Sequence, residues 1–446
     1  VAERICLDTV FFLNKKGVGR WLMMESCLAE RLFSKETQSG LKVYVLPKKD
    51  YNKIFAMYST NYGSIDSEFI VPGTGEHLKV PEGIAHFLEH KMFEMEYGNV
   101  FDKFSELGAS PNAYTSYTNT TYLFSGTSHF RESLKLLLEF VESPYFTEES
   151  VEKEKGIITQ ELRMYEDEPE WQLLLNLLKC LYHKHPVRID IGGTVESIQN
   201  IDVETLYKCY HTFYHPSNMI LFVIGCIDPE EVFELVEKNE ASKGLSPQAE
   251  IKRIYPEEPT TIHKVSHEVK LDVNEPLFLT GFKDADVGSD GKALLKKEIT
   301  TELLLEIMFG RSSELFERLY EEGLIDDRFS FGYEGHKDYG FCTIGGETKD
   351  PEKLHGELLG CISSTIEKGI DIEDFQRVKK KYTGEFISGF NSLEFIATNF
   401  VSYHHKNINI FDYLKVLEEI TMQDVTERLN SFFDFSRNAT SLVIPK

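Results

Sequence analysis

Two histidines and a glutamate stand together in His86-Phe87-Leu88-Glu89-His90. In a helix each residue advances by roughly 100°, so His90 lies about 40° from His86 and Glu89 about 60° to the other side. All three polar side chains then share one face. Two imidazoles one turn apart can hold a single zinc ion, and a carboxylate beside them can work on a water that the metal activates. The order is the reverse of the commoner His-Glu-x-x-His. The flanking Ile84, Phe87, Leu88, Met92 and Phe93 are apolar, which predicts a helix packed into a domain, where histidines and a carboxylate need partners. A catalytic zinc site takes three protein ligands, so a third must come from elsewhere.

Thr147-Glu148-Glu149-Ser150 reads as a helix start, with Thr147 as the N-cap and two carboxylates where the helix dipole favours them. In that helix Glu154, Ile157, Ile158 and Glu161 fall at i, i+3, i+4 and i+7, which is one face. A carboxylate on such a stripe is either paired with a base or bound to metal. Beside a two-histidine site short of one ligand, the metal reading of Glu161 gains weight.

The elements that must position these helices are legible in part. Leu41 to Pro47 alternates as a strand, with Ile54 to Tyr58 as its neighbour, and a Gly/Pro-rich loop from Pro72 to Gly83 leads into the histidine helix. Val100 to Leu107 reads as a short helix stopped by Gly108. The Tyr/Thr-dense run Asn112 to Phe124 reads as two strands around a turn, and Phe130 to Val141 as an amphipathic helix. Asn112, after Pro111, is either a turn residue or the start of a sheet edge whose backbone can accept an extended peptide. Residues 1–26 lack clear periodicity and are set aside as an N-terminal extension or a translation-start artefact.

The chain has 446 residues, 41% of them hydrophobic, which is ample for more than one core. Acidic residues exceed basic ones, 73 to 48, for a net charge of −25, which argues against nucleic acid as a partner and is compatible with basic peptides. No apolar run is long enough for a membrane span and no secretory signal pattern opens the chain, so a soluble cytoplasmic protein is the default expectation. Seven widely spaced cysteines with no Cys-x-x-Cys fit reduced thiols, leaving histidine and carboxylate to hold any zinc. A change of composition, rich in Lys, Gly and Pro, marks a linker at 236–264, between 27–235 and 265–446.

The second half reads as a faded copy of the first. Laying Leu304–Phe309 over Leu88–Phe93 matches Met308 with Met92 and Phe309 with Phe93, and puts Glu302, Leu305 and Glu306 where His86, Glu89 and His90 stand. Phe375 to Glu385 echoes Val151 to Glu161. The copy keeps the layout and lacks both histidines.

His-Phe-Leu-Glu-His, Asn112-Ala113 and the downstream Glu-Lys-Gly-Ile-Ile-x-x-Glu together resemble the M16 metallopeptidases, a group of inverzincins, with Met164-Tyr165-Glu166-Asp167 pointing to its short bacterial YmfH-type branch. The resemblance runs from about residue 27 to the end and is most specific over 80–170. It implies an α+β fold of two homologous α/β-roll domains, each a mixed, mostly antiparallel sheet with helices on one face: a catalytic domain at 27–235 and a degenerate one at 265–446. It implies one zinc ion per chain on His86, His90 and Glu161, with Glu89 as general base, Glu154 steadying a ligand, and Asn112 and Ala113 at the substrate. The implied activity is zinc-dependent endopeptidase action on extended or unstructured peptides. One departure matters: active relatives present an Arg and a Tyr from the second half, and in the nearest stretch here, Phe316 to Asp326 with Arg318 in it, Ile325 or Asp326 occupies the Tyr position and the Arg position is ambiguous. A homologous M16 subunit, in a heterodimer or homodimer, is therefore the implied partner. The alternative is an interaction or regulatory subunit with little activity of its own.

Overall fold

The computed structural model describes residues 8–13, 20–25, 28, 30–241 and 243–446. They form two compact units, the first from Val1–Gln160, Ile191–Tyr255 and Gly389–His405, the second from Glu161–Asp190, Pro256–Ser388 and Lys406–Lys446.

An eight-stranded sheet organises the first unit, in the spatial order Asp8–Leu13, Arg20–Glu25, Arg31–Glu36, Lys42–Pro47, Met219–Gly225, Ile54–Thr60, Thr120–Gly126 and Ala109–Thr115. Neighbours run antiparallel except Met219–Gly225 against Lys42–Pro47, which are parallel. The adjacent interior strands Met219–Gly225 and Ile54–Thr60 are buried at every residue. Continuous apolar runs such as Met219-Ile220-Leu221-Phe222-Val223-Ile224 suit a strand covered on both faces. Alternation separates those faces. Tyr58 and Tyr122 point toward the helix Phe130–Val141, the Tyr122 ring lying 5.7 Å from Phe140. Phe222 and Ser59 face the helix Leu393–His405, where Phe222 stacks on Phe400 at 4.3 Å and Ser59 Oγ meets His405 Nε2 at 2.9 Å.

Residues 8–13 and 20–25, within the stretch set aside on sequence, extend this sheet at one edge; the rest of 1–26 lies outside the described residues. The opposite edge is Ala109–Thr115. It contains Pro111, which an edge tolerates because its missing N–H would otherwise interrupt a ladder. Asn112 sits in this strand opposite Leu123, not in a turn.

The second unit holds a five-stranded sheet in the order Ser266–Leu271, Asn438–Pro445, Leu277–Lys283, Gly340–Glu347 and Ser330–Gly335, with its first pair parallel. The strands Ser266–Leu271 and Leu277–Lys283 are separated around Pro276. Helix Pro169–Leu181 packs on this sheet, Leu173 against Leu271 and Val443. Within 236–264, Arg253 Nε donates to Asp66 Oδ1 at 2.9 Å in the first unit, and in the second the Glu258 carboxylate accepts the backbone N–H groups of His183, Lys184 and His185 at 2.7 to 2.8 Å. The fold is α+β with mixed, mostly antiparallel sheets, as the sequence led us to expect.

Candidate metal centre

The histidine helix is Ile84–Met92, and it begins at a backbone position few residues could occupy. Gly83, its N-cap, has φ +84°, and a Cβ there would stand 2.2 Å from the Gly192 carbonyl oxygen. Reciprocally, a Cβ on Gly193 would meet the Glu82 oxygen at 2.5 Å, while Ser197 Oγ donates to that same oxygen at 2.9 Å. The Gly-Gly loop thereby seats the helix end. Ile84, Phe87, Leu88 and Met92 are buried, which turns His86, Glu89 and His90 toward the next layer.

That layer is the helix Glu148–Glu166, opened by a reciprocal cap in which Thr147 Oγ1 accepts the Ser150 N–H and Ser150 Oγ accepts the Thr147 N–H. The helix runs unbroken through Glu161, so Glu154 and Glu161 are carried on one rigid rod although the unit division falls after Gln160. Ile158 is buried while Ile157, on the same stripe, is 45% exposed and lines a cavity. Among the described residues, His86, His90 and Glu161 bring one ligand atom each to within 4.8 Å of one another. The imidazole rings of His86 and His90 meet edge to face, 4.6 Å between centroids. Glu154 does not join the trio; its Oε1 lies 3.0 Å from His90 Nδ1, with both side chains mostly buried.

Two imidazoles and a carboxylate are the donor set zinc takes at catalytic sites. The chemistry of this trio fits. Burial, then the neighbouring His90, pushes the His86 pKa down to about 3, so its imidazole is neutral and offers a lone pair. With Glu154 on its Nδ1, His90 would offer Nε2 to a metal, the orientation device common to metal-bound histidines.

Glu89, beside the trio, is 9% exposed and accepts a hydrogen bond from Thr115 Oγ1 at 2.6 Å. Thr115 ends the edge strand that carries Asn112 and Ala113. Glu89, His90, Glu154, Asn112 and Ala113 all line one cavity of about 840 Å³, so the seven residues singled out in the sequence converge on a single region. Asn112 Oδ1 accepts the Ala113 N–H at 2.9 Å. Among the charged residues of the cavity wall carboxylates outnumber lysines, Glu89, Glu94, Glu96, Glu149 and Glu154 against Lys153, with Glu94 paired to Lys91. Sequence reasoning passed over Thr115 and the Gly83/Gly192/Gly193 contact. The two-residue strand repeat puts Thr115 on the face of Ala113, a signal that could have found it, whereas a left-handed glycine leaves no such trace.

In the second unit, Glu302 and Glu306 occupy the helix Gly291–Phe309. Burial, then Glu298, raises the Glu302 pKa to about 7, and Glu306 Oε1 accepts from Lys381 Nζ at 2.5 Å. Arg318 is held by Glu357 at 2.6 Å and by Glu322, Ile325 is buried, and Asp326 is bound to Arg328 at 2.6 Å.

Residues 73–195 match the profile of the Insulinase family (Peptidase family M16), and 200–382 that of the Peptidase M16 inactive domain. The chain is 45% identical over 419 residues to a Bacillus subtilis protein described as "Uncharacterized zinc protease YmfH", covering 94% of this chain and 98% of that one. A crystal structure of an M16-like peptidase from Alicyclobacillus acidocaldarius superposes with a TM-score of 0.91 at 38% identity, over 94% of this chain and 99% of that one. A protease structure from Helicobacter pylori shares the fold, with a TM-score of 0.77 at 21% identity, over 93% of this chain and 100% of that one. No helix among the described residues is long and apolar enough to cross a membrane. With M16 profiles matched in both halves, 45% identity over nearly the full length to a protein described as a zinc protease, and two histidines and a carboxylate brought together in its first half, this chain belongs to the M16 family of metallopeptidases.

Proposed function

We propose that the protein is a zinc-dependent endopeptidase of extended or unstructured peptides, holding one zinc ion per chain and working as one subunit of a pair. The observation that carries this reading is the meeting of His86, His90 and Glu161, with Glu89 beside them, at a cavity bordered by a sheet edge. When bound, zinc supplies a Lewis acid that acidifies a water and polarises a carbonyl. Glu89 takes a proton from the attacking water and delivers it to the leaving amine, as general base and then general acid. Glu154 holds His90 in its ligating orientation. The strand through Asn112 and Ala113 presents main-chain groups to an extended peptide, which gives binding with little demand on sequence. The carboxylates of the cavity favour peptides carrying basic side chains.

The pairing rests on the second unit. Arg318 is engaged by Glu357 and Glu322, and neither Ile325 nor Asp326 carries a side-chain hydrogen-bond donor, so residues 316–326 do not reproduce the Arg/Tyr pair of active relatives. A missing donor costs about 10² to 10³ in rate, which a homologous partner subunit would restore. The same observation favours a second reading, a regulatory subunit that cleaves nothing. Assaying the zinc-loaded chain on unstructured basic peptides, alone and with any homologous M16 subunit that co-purifies, separates the two. Slow turnover that rises with the partner supports the proposal. Absence of turnover in every preparation supports the regulatory reading, and fast turnover by the lone chain removes the need for a partner.

A further inference from the structure

Glu89 reaches its position from a helix, and its last torsion, between an sp³ and an sp² carbon, is broad and roughly two-fold. Packing around the methylenes therefore fixes where the carboxylate is but not the plane in which it lies. A proton acceptor that must hand the same proton onward depends on that plane, since transfer requires hydrogen-bond geometry to two different atoms in turn.

A polar chain on the neighbouring strands supplies the constraint. Thr115 Oγ1 donates to Glu89 Oε2 at 2.6 Å, a short bond to a carboxylate acceptor. Thr115 pairs directly with Thr120 across the hairpin, and their hydroxyls lie 3.3 Å apart. Thr120 Oγ1 donates to the carbonyl oxygen of Tyr62 at 2.9 Å, and Thr120 is fully buried. The turn between them is closed by Ser116, whose N–H donates to the Asn119 oxygen at 2.8 Å and whose Oγ donates to Asn119 Oδ1 at 2.8 Å. With its one proton given to Glu89 and that of Thr120 given to Tyr62, the two hydroxyls share no hydrogen bond; Thr115 is anchored to the sheet by its strand pairing with Thr120 and grips Glu89 through its hydroxyl.

From this arrangement we infer that Thr115 is a positioning residue for the peptidase reaction: its hydroxyl orients the Glu89 carboxylate and ties that orientation to the edge strand bearing Asn112 and Ala113. A peptide added along Ala109–Thr115 would therefore pair with the same strand whose last residue holds the Glu89 carboxylate. The inference rests on the peptidase reading given above for its kinetic consequence, and on the hydrogen bond alone for its structural one.

Thr115→Val keeps the side-chain shape and removes the donor, and Thr115→Ser keeps the donor. Three measurements are made on the full chain. Crystal structures of the metal-free variants report the Glu89 carboxylate plane. Metal analysis reports zinc content. Steady-state kinetics on a fluorogenic basic peptide, with any co-purifying subunit present, separates kcat from KM. Thr115→Val should turn or disorder the Glu89 carboxylate, leave zinc content unchanged, and lower kcat about tenfold to a hundredfold with KM unchanged, the range for a lost hydrogen bond to a charged group. Thr115→Ser should recover wild-type kcat and carboxylate plane. If the valine variant does not fold, Thr115→Ala against Thr115→Ser makes the same comparison. An unmoved carboxylate, a wild-type kcat in Thr115→Val, or loss of zinc from it overturns the inference. If the wild-type protein hydrolyses no peptide, the peptidase reading falls, and the carboxylate plane in the metal-free crystals still decides whether Thr115 orients Glu89.

Discussion

Removing the Glu154 carboxylate should weaken zinc binding in a graded way that separates orientation from ligation. Glu154 Oε1 stands 3.0 Å from His90 Nδ1, and the side chains are 13% and 26% exposed. That partial burial strengthens the bond without isolating it, so water can replace a lost partner in part. Glu154→Gln retains a neutral acceptor of similar shape, and a neutral bond is roughly half as strong as a charge-assisted one. Glu154→Ala leaves Nδ1 to water. Partners of this kind are worth about 10- to 100-fold in metal affinity, or about 1.4 to 2.7 kcal/mol. We therefore expect Glu154→Ala to lie inside that range, given the exposure of His90, and Glu154→Gln to lie between it and wild type. Competition with a chromophoric zinc chelator at neutral pH measures the series without any need for peptidase activity. Equal affinities for wild type and Glu154→Ala would falsify the orienting role. A loss as large as that of His90→Ala would instead make Glu154 a ligand.

Glu89→Gln should leave zinc bound and abolish hydrolysis, whereas Glu161→Gln should weaken zinc, because one removes a proton acceptor and the other a charged ligand; metal analysis beside a peptide assay checks both. Gly83→Ala should destabilise the protein by at least about 2 kcal/mol, combining a left-handed backbone with an overlap on the Gly192 oxygen, and urea unfolding would show it. Stability should fall as pH drops from about 6.5 toward 4 and 3, where burial has pushed His404 and His405, respectively. The sign follows because the unfolded chain takes up protons over that window while the folded one does not, and the loss is on the order of several kcal/mol. Urea midpoints measured across the window test this, and His405→Gln should flatten the slope; a flat wild-type profile would count against buried neutral imidazoles.

Much of the centre was readable from local periodicity. A helix repeats every 3.6 residues whatever surrounds it, so His86, Glu89 and His90 had to share a face once the segment was helical. Helix Phe130–Val141 and the Thr147 cap followed from equally local signals. What lay beyond the sequence was which stripe meets which partner. Glu154 and Glu161 occupy one stripe and were both candidates by residue type; only packing against the histidine helix puts Glu161 with both imidazoles and Glu154 on His90 Nδ1. Likewise the Tyr/Thr density of Asn112 to Phe124 is a strand signal, while the place of Ala109–Thr115 at the sheet edge, with Thr115 against Glu89, depends on the order of eight strands drawn from distant parts of the chain. Residues 161–190 group with the second unit and 389–405 with the first for the same reason. An amphipathic segment states that one face must be buried, and the surface that buries it is selected by competition among all the apolar faces of the chain.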